Sequence, residues 1–153
     1  MVQNAREFNF RASKGPEFVA NAGRDLAGIR AKTIRVHDSG DFYNQDYLNK
    51  WIAIAKQFPD KKFYAYTKSF HLNYSEMPSN FKVIQSYGGL LDSKLDKSRS
   101  HSRIFSTHSA RKKAGYVDGN ITDSHAVNGT IKIGLVYHGT RNLTEAQSNY
   151  FAV

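Results

Sequence analysis

Apolar residues recur at helical spacing in two segments of the chain. In residues 18–29 they stand three or four positions apart, which predicts a helix weakened by Gly23 and Gly28. Asn44 suits the N-cap of a second helix, and Pro59 suits its end. The apolar face of this second helix consists of Tyr47, Leu48, Trp51, Ile52, Ile54, Ala55 and Phe58.

Five apolar stretches predict β-strands, and they cover residues 33–36, 61–69, 81–89, 102–107 and 130–139. Short strands separated by helices or polar connections are typical of an α/β protein with a mostly parallel sheet and flanking helices. A complete eight-stranded (β/α) barrel needs about 250 residues. The 153 residues therefore predict an open sheet or a partial (β/α) barrel, in a single α/β domain over residues 1–153.

Composition narrows the class of protein. With 40% hydrophobic and 13% aromatic residues, the chain is typical of a folded globular protein. It contains no cysteine, which excludes disulfides, zinc–thiolate sites and cysteine-held iron–sulfur clusters from this chain. The first residues lack the apolar core of a signal peptide, and no apolar run approaches the ~20 residues of a membrane span. We therefore expect a cytoplasmic protein without a membrane partner.

The chain is strongly basic, with 22 Lys and Arg against 13 Asp and Glu and a net charge of +9. Such a charge favours polyanionic partners, which here means nucleic acid or an acidic host protein. Much of the excess lies in one segment that contains a single acid, Asp96. The residues predicted to bind the partner are Lys97, Arg99, Arg103, Arg111, Lys112 and Lys113.

Polar side chains follow three of the predicted strands. The first strand is followed by His37, Asp38 and Asp41, the second by Lys68, and the last ends at His138. Because the carboxyl ends of parallel strands meet at one edge of a sheet, these five side chains are predicted to share a pocket.

Two kinds of chemistry are open to this set. His37, Asp41 and His138 could hold a divalent metal, since imidazole and carboxylate are common ligands. Alternatively, the histidines and carboxylates supply a general acid and base while Lys68 clamps a phosphate-containing substrate. Structural roles compete with both: Asp38 and Asp41 also suit an Asx turn and a helix-entry charge, and Lys68 also suits a solvated strand end.

The stretch RVHDSGDFYNQDYLNKWIAIAKQFPDKKFYAYTKS at residues 35–69, with IGLVYHG at 133–139, resembles the gene product 88 family of phages and bacterial mobile elements. The resemblance implies a (β/α) fold and a bacterial host cell. Longer members carry, ahead of this block, a cysteine-rich segment that suggests a radical-SAM-like enzyme. That segment is absent here, so the resemblance implies a radical-SAM-like remnant without iron–sulfur chemistry. The pocket residues that it implies are His37, Asp38, Asp41, Lys68 and His138.

Three hypotheses follow. The first is a phage or mobile-element accessory protein that binds nucleic acid or a host protein through its basic surface, without an iron–sulfur cofactor. The alternative is a cysteine-independent enzyme that uses a metal or acid–base pair at the strand ends. The third is a degenerate gene product whose fold persists without activity. Strand edges left exposed by a partial barrel also predict a homodimer.

Overall fold

The computed structural model describes residues 2–137 of the chain. Two helices precede the first strand, and strands then alternate with helices or loops. The helices are α1 (Val2–Lys14), α2 (Phe18–Gly28), α3 (Gln45–Gln57), α4 (His108–Lys113) and α5 (Ser124–Val127), and a 3-10 helix covers Asp92–Lys94. The strands are β1 (Thr33–Arg35), β2 (Lys62–Thr67), β3 (Phe81–Ser86), β4 (His101–Phe105), β5 (Val117–Asp118) and β6 (Lys132–Val136).

The six strands in the described part of the chain form one sheet, in the order β1-β2-β3-β4-β6-β5. Every neighbouring pair is parallel. The sheet curls into a half-barrel with flanking helices. The predicted α/β class, with a parallel sheet and a partial barrel, is therefore confirmed.

The largest core lies between α2, α3 and one face of the sheet, which we call the helix face. Asn44 begins α3 as predicted, because its side chain accepts a hydrogen bond from the Tyr47 backbone N–H at 2.9 Å. The buried residues of this core are Leu26, Phe42, Tyr47, Leu48, Ile52, Ile54, Ala55, Phe63, Ala65 and Phe81.

The opposite face of the sheet carries a smaller core beneath α5. Tyr64, Ile84 and Ile133 pack there against Ala126. The hydroxyl of Tyr64 donates to Asp123 Oδ2 at 2.6 Å, which ties the start of α5 to β2. Among residues 2–137, no helix has the length and apolar character needed to cross a membrane.

The structure differs from the prediction mainly at element ends and in the shortest elements. The predicted strands 102–107 and 130–139 correspond to β4 and β6, which begin at His101 and Lys132. The sequence did not predict α1, α4, α5 or β5. Most residues of α1 are polar, so its sequence offers little apolar pattern, and β5 has only two residues.

Candidate functional site

The loop between β1 and α3 is fastened to the end of β2 by Asp41. Its carboxylate accepts hydrogen bonds from the Phe42 backbone N–H at 2.7 Å, the Thr67 hydroxyl at 2.6 Å and the Lys68 backbone N–H at 2.6 Å. Gly40 takes the turn before it with φ of +98°. The predicted catalytic residue Asp41 therefore also holds two strand ends together.

His37 stands at the same edge, half-buried against aromatic rings. Its ring meets Phe42 edge-on at 4.7 Å between centroids, and its Nε2 lies 3.2 Å from the Tyr47 hydroxyl. Burial lowers the pKa of His37, and the charge of Asp41 opposes this only in part. Its Nδ1 is buried and has no hydrogen-bond partner among residues 2–137. The side chain is thus a neutral imidazole with one uncommitted nitrogen.

A cleft of about 1080 Å³ opens beside His37, and we call it the His37 cleft. It lies between α1, α2 and the loop after β1. Its lining is rich in aromatic side chains and includes Phe8, Phe10, Phe18, Tyr43, Tyr47 and Trp51 beside Asp25, Asp38 and Asp41. Aromatic walls with a few polar groups are typical of small-molecule sites.

The other members of the predicted pocket have different surroundings. Lys68 is exposed, and its Nζ donates to the Gly88 carbonyl at 2.9 Å, which links the ends of β2 and β3. Asp38 is exposed on the wall of the His37 cleft. His138 lies outside the described residues. Within residues 2–137, no group of three or more His, Asp or Glu side chains is placed to hold a metal ion, and the predicted metal set that includes His138 stays a prediction.

The basic segment places its charges in two kinds of environment. Lys97, Arg99, Lys112 and Lys113 are exposed. Arg103 is half-buried, and its guanidinium lies 5.9 Å from the ring centre of Tyr87 and 5.5 Å from that of Phe105. Such stacking keeps the Arg103 charge at an aromatic surface.

Arg111, by contrast, is an internal part of the fold. Its guanidinium donates to the Tyr116 carbonyl at 2.7 Å and lies 3.1 Å from the Asp118 carboxylate. The stem packs over Gly134, where an added Cβ would lie 2.5 Å from Arg111 Cγ. The hydrogen bonds and the packing occupy Arg111, so its predicted role in partner binding receives no support from this geometry.

Hydrogen bonds join α4 to the start of β4. The Tyr116 backbone N–H donates to the Arg111 carbonyl at 3.2 Å, and the Tyr116 hydroxyl lies 3.1 Å from His101 Nε2. His101 Nδ1 in turn lies 2.8 Å from the Arg99 carbonyl. Lys132 lies over the Tyr116 ring, 5.8 Å from its centre.

We define the basic surface as Lys94, Lys97, Arg99, Lys112, Lys113 and Lys132.

A second cavity, of about 640 Å³, lies on the helix face above β3, and we call it the groove. Its floor includes Phe81 and Val83, and its mouth includes Lys94 and Arg99 of the basic surface. The remaining wall residues include Phe70, Leu72, Tyr74, Met77, Ser75 and Ser79.

Comparison with known proteins decides the family. The model of the family described as gene product 88 matches residues 1–151. The chain belongs to the phage gene product 88 family. That match shows the family. It supports neither a radical-SAM affiliation nor a missing N-terminal segment. No curated protein and no solved structure matches the chain.

In this gene product 88 chain, sequence reasoning missed the residues that organise the basic surface. His101 is only 1% exposed and bonds through both ring nitrogens, although its basic, serine-rich neighbourhood suggests a surface residue. Tyr116 and Lys132 also belong to this region, and the sequence analysis did not predict them. A strand that begins at His101 would have indicated that this side chain is buried, because strand residues alternate between the two faces of the sheet.

Proposed function

We propose that the protein is an accessory protein of a phage or mobile element that binds nucleic acid through the basic surface, in the cytoplasm of the bacterial host. The binding needs no iron–sulfur cluster. The observation that carries the proposal is the set of hydrogen bonds that joins Arg99 through His101 and Tyr116 to the Arg111 backbone, next to Lys112 and Lys113.

A fixed connection between Arg99 and the end of α4 matters because phosphates of a nucleic acid are regularly spaced along the backbone. Several cations on one surface neutralise several phosphates together and release their counterions, which gives affinity that falls with salt. The net charge of +9 adds long-range attraction. His101 and Tyr116 are hydrogen-bonded to each other at 3.1 Å, so they fix the spacing between Arg99 and the end of α4.

The test is a charge reversal with a matched control. Lys112→Glu/Lys113→Glu changes the basic surface by four charge units, and Arg30→Glu/Lys56→Glu makes the same change at exposed positions near α2 and α3. We expect oligonucleotide affinity at about 0.1 M salt to fall at least tenfold in the first variant. The slope of log affinity against log salt should become shallower by about 1.5, because two phosphate contacts are lost.

Equal losses in the two double variants would show that only net charge matters and would overturn the assignment to this surface. An acidic host protein is the other partner that the charge allows. Binding of polyglutamate together with indifference to oligonucleotides would replace nucleic acid with an acidic protein.

A second candidate function rests on the unpaired Nδ1 of His37. A neutral imidazole at the wall of a cleft is suited to act as a general base or as a metal ligand. In this alternative, His37, Asp38 and Asp41 act on a phosphate-containing substrate in the His37 cleft, with Lys68 contributing from the end of β2 and His138, which lies outside the described residues, kept as a predicted member.

A thermal-shift screen against divalent metals and nucleotides tests this second candidate. Stabilisation in the wild type that disappears in His37→Ala would support it. A shift that persists in His37→Ala, or no shift with any of these ligands, would remove it.

A further inference from the structure

The groove exists because the sheet lacks a covering helix above β3. The connections from β2 to β3 and from β3 to β4 cross the helix face as loops, with the short 3-10 helix Asp92–Lys94 in the second. A βαβ crossover usually places a helix there. The two loops, residues 68–80 and 87–100, instead leave about 640 Å³ between them, within the ~300–1,000 Å³ range of ligand sites.

The floor and walls suit a flat ring. Phe81 and Val83 present apolar side chains from β3, and Phe70, Leu72, Tyr74 and Met77 come from the loop after β2. A surface of this kind gains free energy when it covers a planar aromatic group, because both apolar contact and ring stacking contribute.

The polar walls are already held in place. The side-chain amide of Gln85 donates to the Asp96 carbonyl and accepts from the Asp96 N–H, both at 2.8 Å. The Tyr74 hydroxyl donates to the Ser69 carbonyl at 3.1 Å. Burial raises the pKa of Tyr74 to about 12, so the phenol stays neutral. A preformed wall costs little ordering on binding, and Gln85 keeps one N–H and one oxygen lone pair for a ligand.

The mouth carries positive charge. Lys94 and Arg99 line it, while the Asp96 carboxylate turns to Ser98, whose N–H and hydroxyl donate to Asp96 Oδ1 at 2.9 and 2.6 Å. These hydrogen bonds lower the pKa of Asp96, and the carboxylate is directed to its own loop. Lys94 and Arg99 also belong to the basic surface, so the groove adjoins that surface.

We propose that the groove receives an unpaired nucleobase of a single-stranded nucleic acid whose phosphates lie along the basic surface. This inference rests on the proposed function and specifies it, because bases of a duplex are stacked and paired and do not enter a groove of this kind. Base–aromatic stacking tolerates any sequence, so the expected preference is for single strands without strong base specificity.

The test compares two oligonucleotides with the same number of phosphates. One is an oligothymidylate of about 12 nucleotides, and the other is its abasic counterpart. Because one inserted base contributes about 1–3 kcal/mol, the wild type should bind oligothymidylate about five- to 150-fold more tightly. Per phosphate, the duplex of equal length should bind less tightly than oligothymidylate, because its paired bases do not enter the groove.

Variants at the groove wall locate the effect. Ser75 and Ser79 are exposed wall residues, so Ser75→Leu/Ser79→Leu narrows the groove without burying a polar group. We expect this variant to bind oligothymidylate and the abasic strand within about twofold of each other. The matched control, Ser106→Leu/Ser109→Leu, changes exposed serines outside the groove and should keep the wild-type ratio.

A change at the mouth separates charge from stacking. Lys94→Glu should weaken both oligonucleotides by the same factor, since it removes a phosphate contact at the mouth and leaves the aromatic residues of the groove in place. Circular dichroism and melting curves confirm that each variant is folded before its affinity is compared.

Each outcome separates this inference from the proposed function. Equal, salt-dependent binding of oligothymidylate and the abasic strand by the wild type overturns the base site but leaves binding by the basic surface. Failure of every oligonucleotide to bind overturns both. A preference for duplex that persists per phosphate, or a ratio that survives narrowing of the groove, also overturns the base site.

Discussion

Among residues 2–137, His37 and His101 are the two histidines packed against aromatic rings at strand ends, and their surroundings differ. His101 is 1% exposed, its Nδ1 lies 2.8 Å from the Arg99 carbonyl, and its Nε2 lies 3.1 Å from the Tyr116 hydroxyl. His37 borders a cleft, its Nε2 lies 3.2 Å from the Tyr47 hydroxyl, and its Nδ1 has no partner within residues 2–137.

The two histidines differ in whether both ring nitrogens have hydrogen-bond partners. A carbonyl oxygen can only accept, so His101 Nδ1 must carry a proton, while Nε2 is paired with the Tyr116 hydroxyl. His101 is therefore a structural link within the fold. His37 keeps one buried nitrogen without a partner among residues 2–137, which costs free energy in the folded state.

The largest expected effect tests whether the His101 region is structural. Arg111→Ala removes the stem over Gly134 and the hydrogen bond to the Tyr116 carbonyl. We expect the free energy of unfolding to fall by about 3 kcal/mol, from lost packing and a lost charge-assisted hydrogen bond. Urea denaturation measures it, with the exposed neighbour Lys112→Ala as control. A loss no greater than that of the control would mean that Arg111 is free to bind a partner.

The next effect compares the two histidines directly. His101→Phe leaves the Arg99 carbonyl and the Tyr116 hydroxyl without their partner, so we expect a loss of about 2 kcal/mol. His37→Phe removes a single hydrogen bond and an unpaired nitrogen, and it should change stability by less than about 0.5 kcal/mol. Equal losses of unfolding free energy in the two variants, measured by urea denaturation, would contradict this difference between the histidines.

The same contrast explains what the sequence could predict. The β1–α3–β2 unit can be predicted from local sequence patterns. Asn44 caps α3 by accepting a hydrogen bond from Tyr47, three positions away, and the apolar residues of α3 repeat at helical spacing along the helix. The strand-end placement of His37 and Asp41 follows from the sequence, because the apolar run of β1 ends directly before them.

The His101 region could not be predicted in this way, since its contacts join residues that only the folded sheet brings together. Arg111 has the same sequence signature as Lys112 and Lys113, yet the missing Cβ of Gly134 lets it pack inward. The groove also depends on what the two loops around β3 leave open. Local propensity carries no information about such long-range packing.

A smaller effect concerns the dependence of stability on pH. Burial holds the pKa of His37 below its ordinary value of 6.5, so the unfolded chain takes up the proton more readily than the folded one. Stability should therefore fall as the pH is lowered through 6.5 toward the folded-state value, with a slope of at most about 1.4 kcal/mol per pH unit.

Urea denaturation between about pH 7.5 and 5.5 measures this slope. His37→Phe should make it shallower, whereas His71→Gln, at an exposed histidine, should leave it unchanged. An unchanged slope in His37→Phe would show that the His37 ring is protonated equally easily in both states.

The smallest effect comes from the two tyrosines that contact the histidines. Tyr47→Phe should cost about 0.5 kcal/mol, because the 3.2 Å contact with His37 borders a cleft that water can enter. Tyr116→Phe should lower the free energy of unfolding by about 1 kcal/mol more than Tyr47→Phe does, because it leaves the buried His101 Nε2 unpaired. Double-mutant cycles with His37→Phe and His101→Phe isolate each pair from the packing of the rings. A coupling energy between Tyr47 and His37 as large as that between Tyr116 and His101 would make His37 a structural residue as well, and the case for a ligand at its Nδ1 would then rest on the cleft alone.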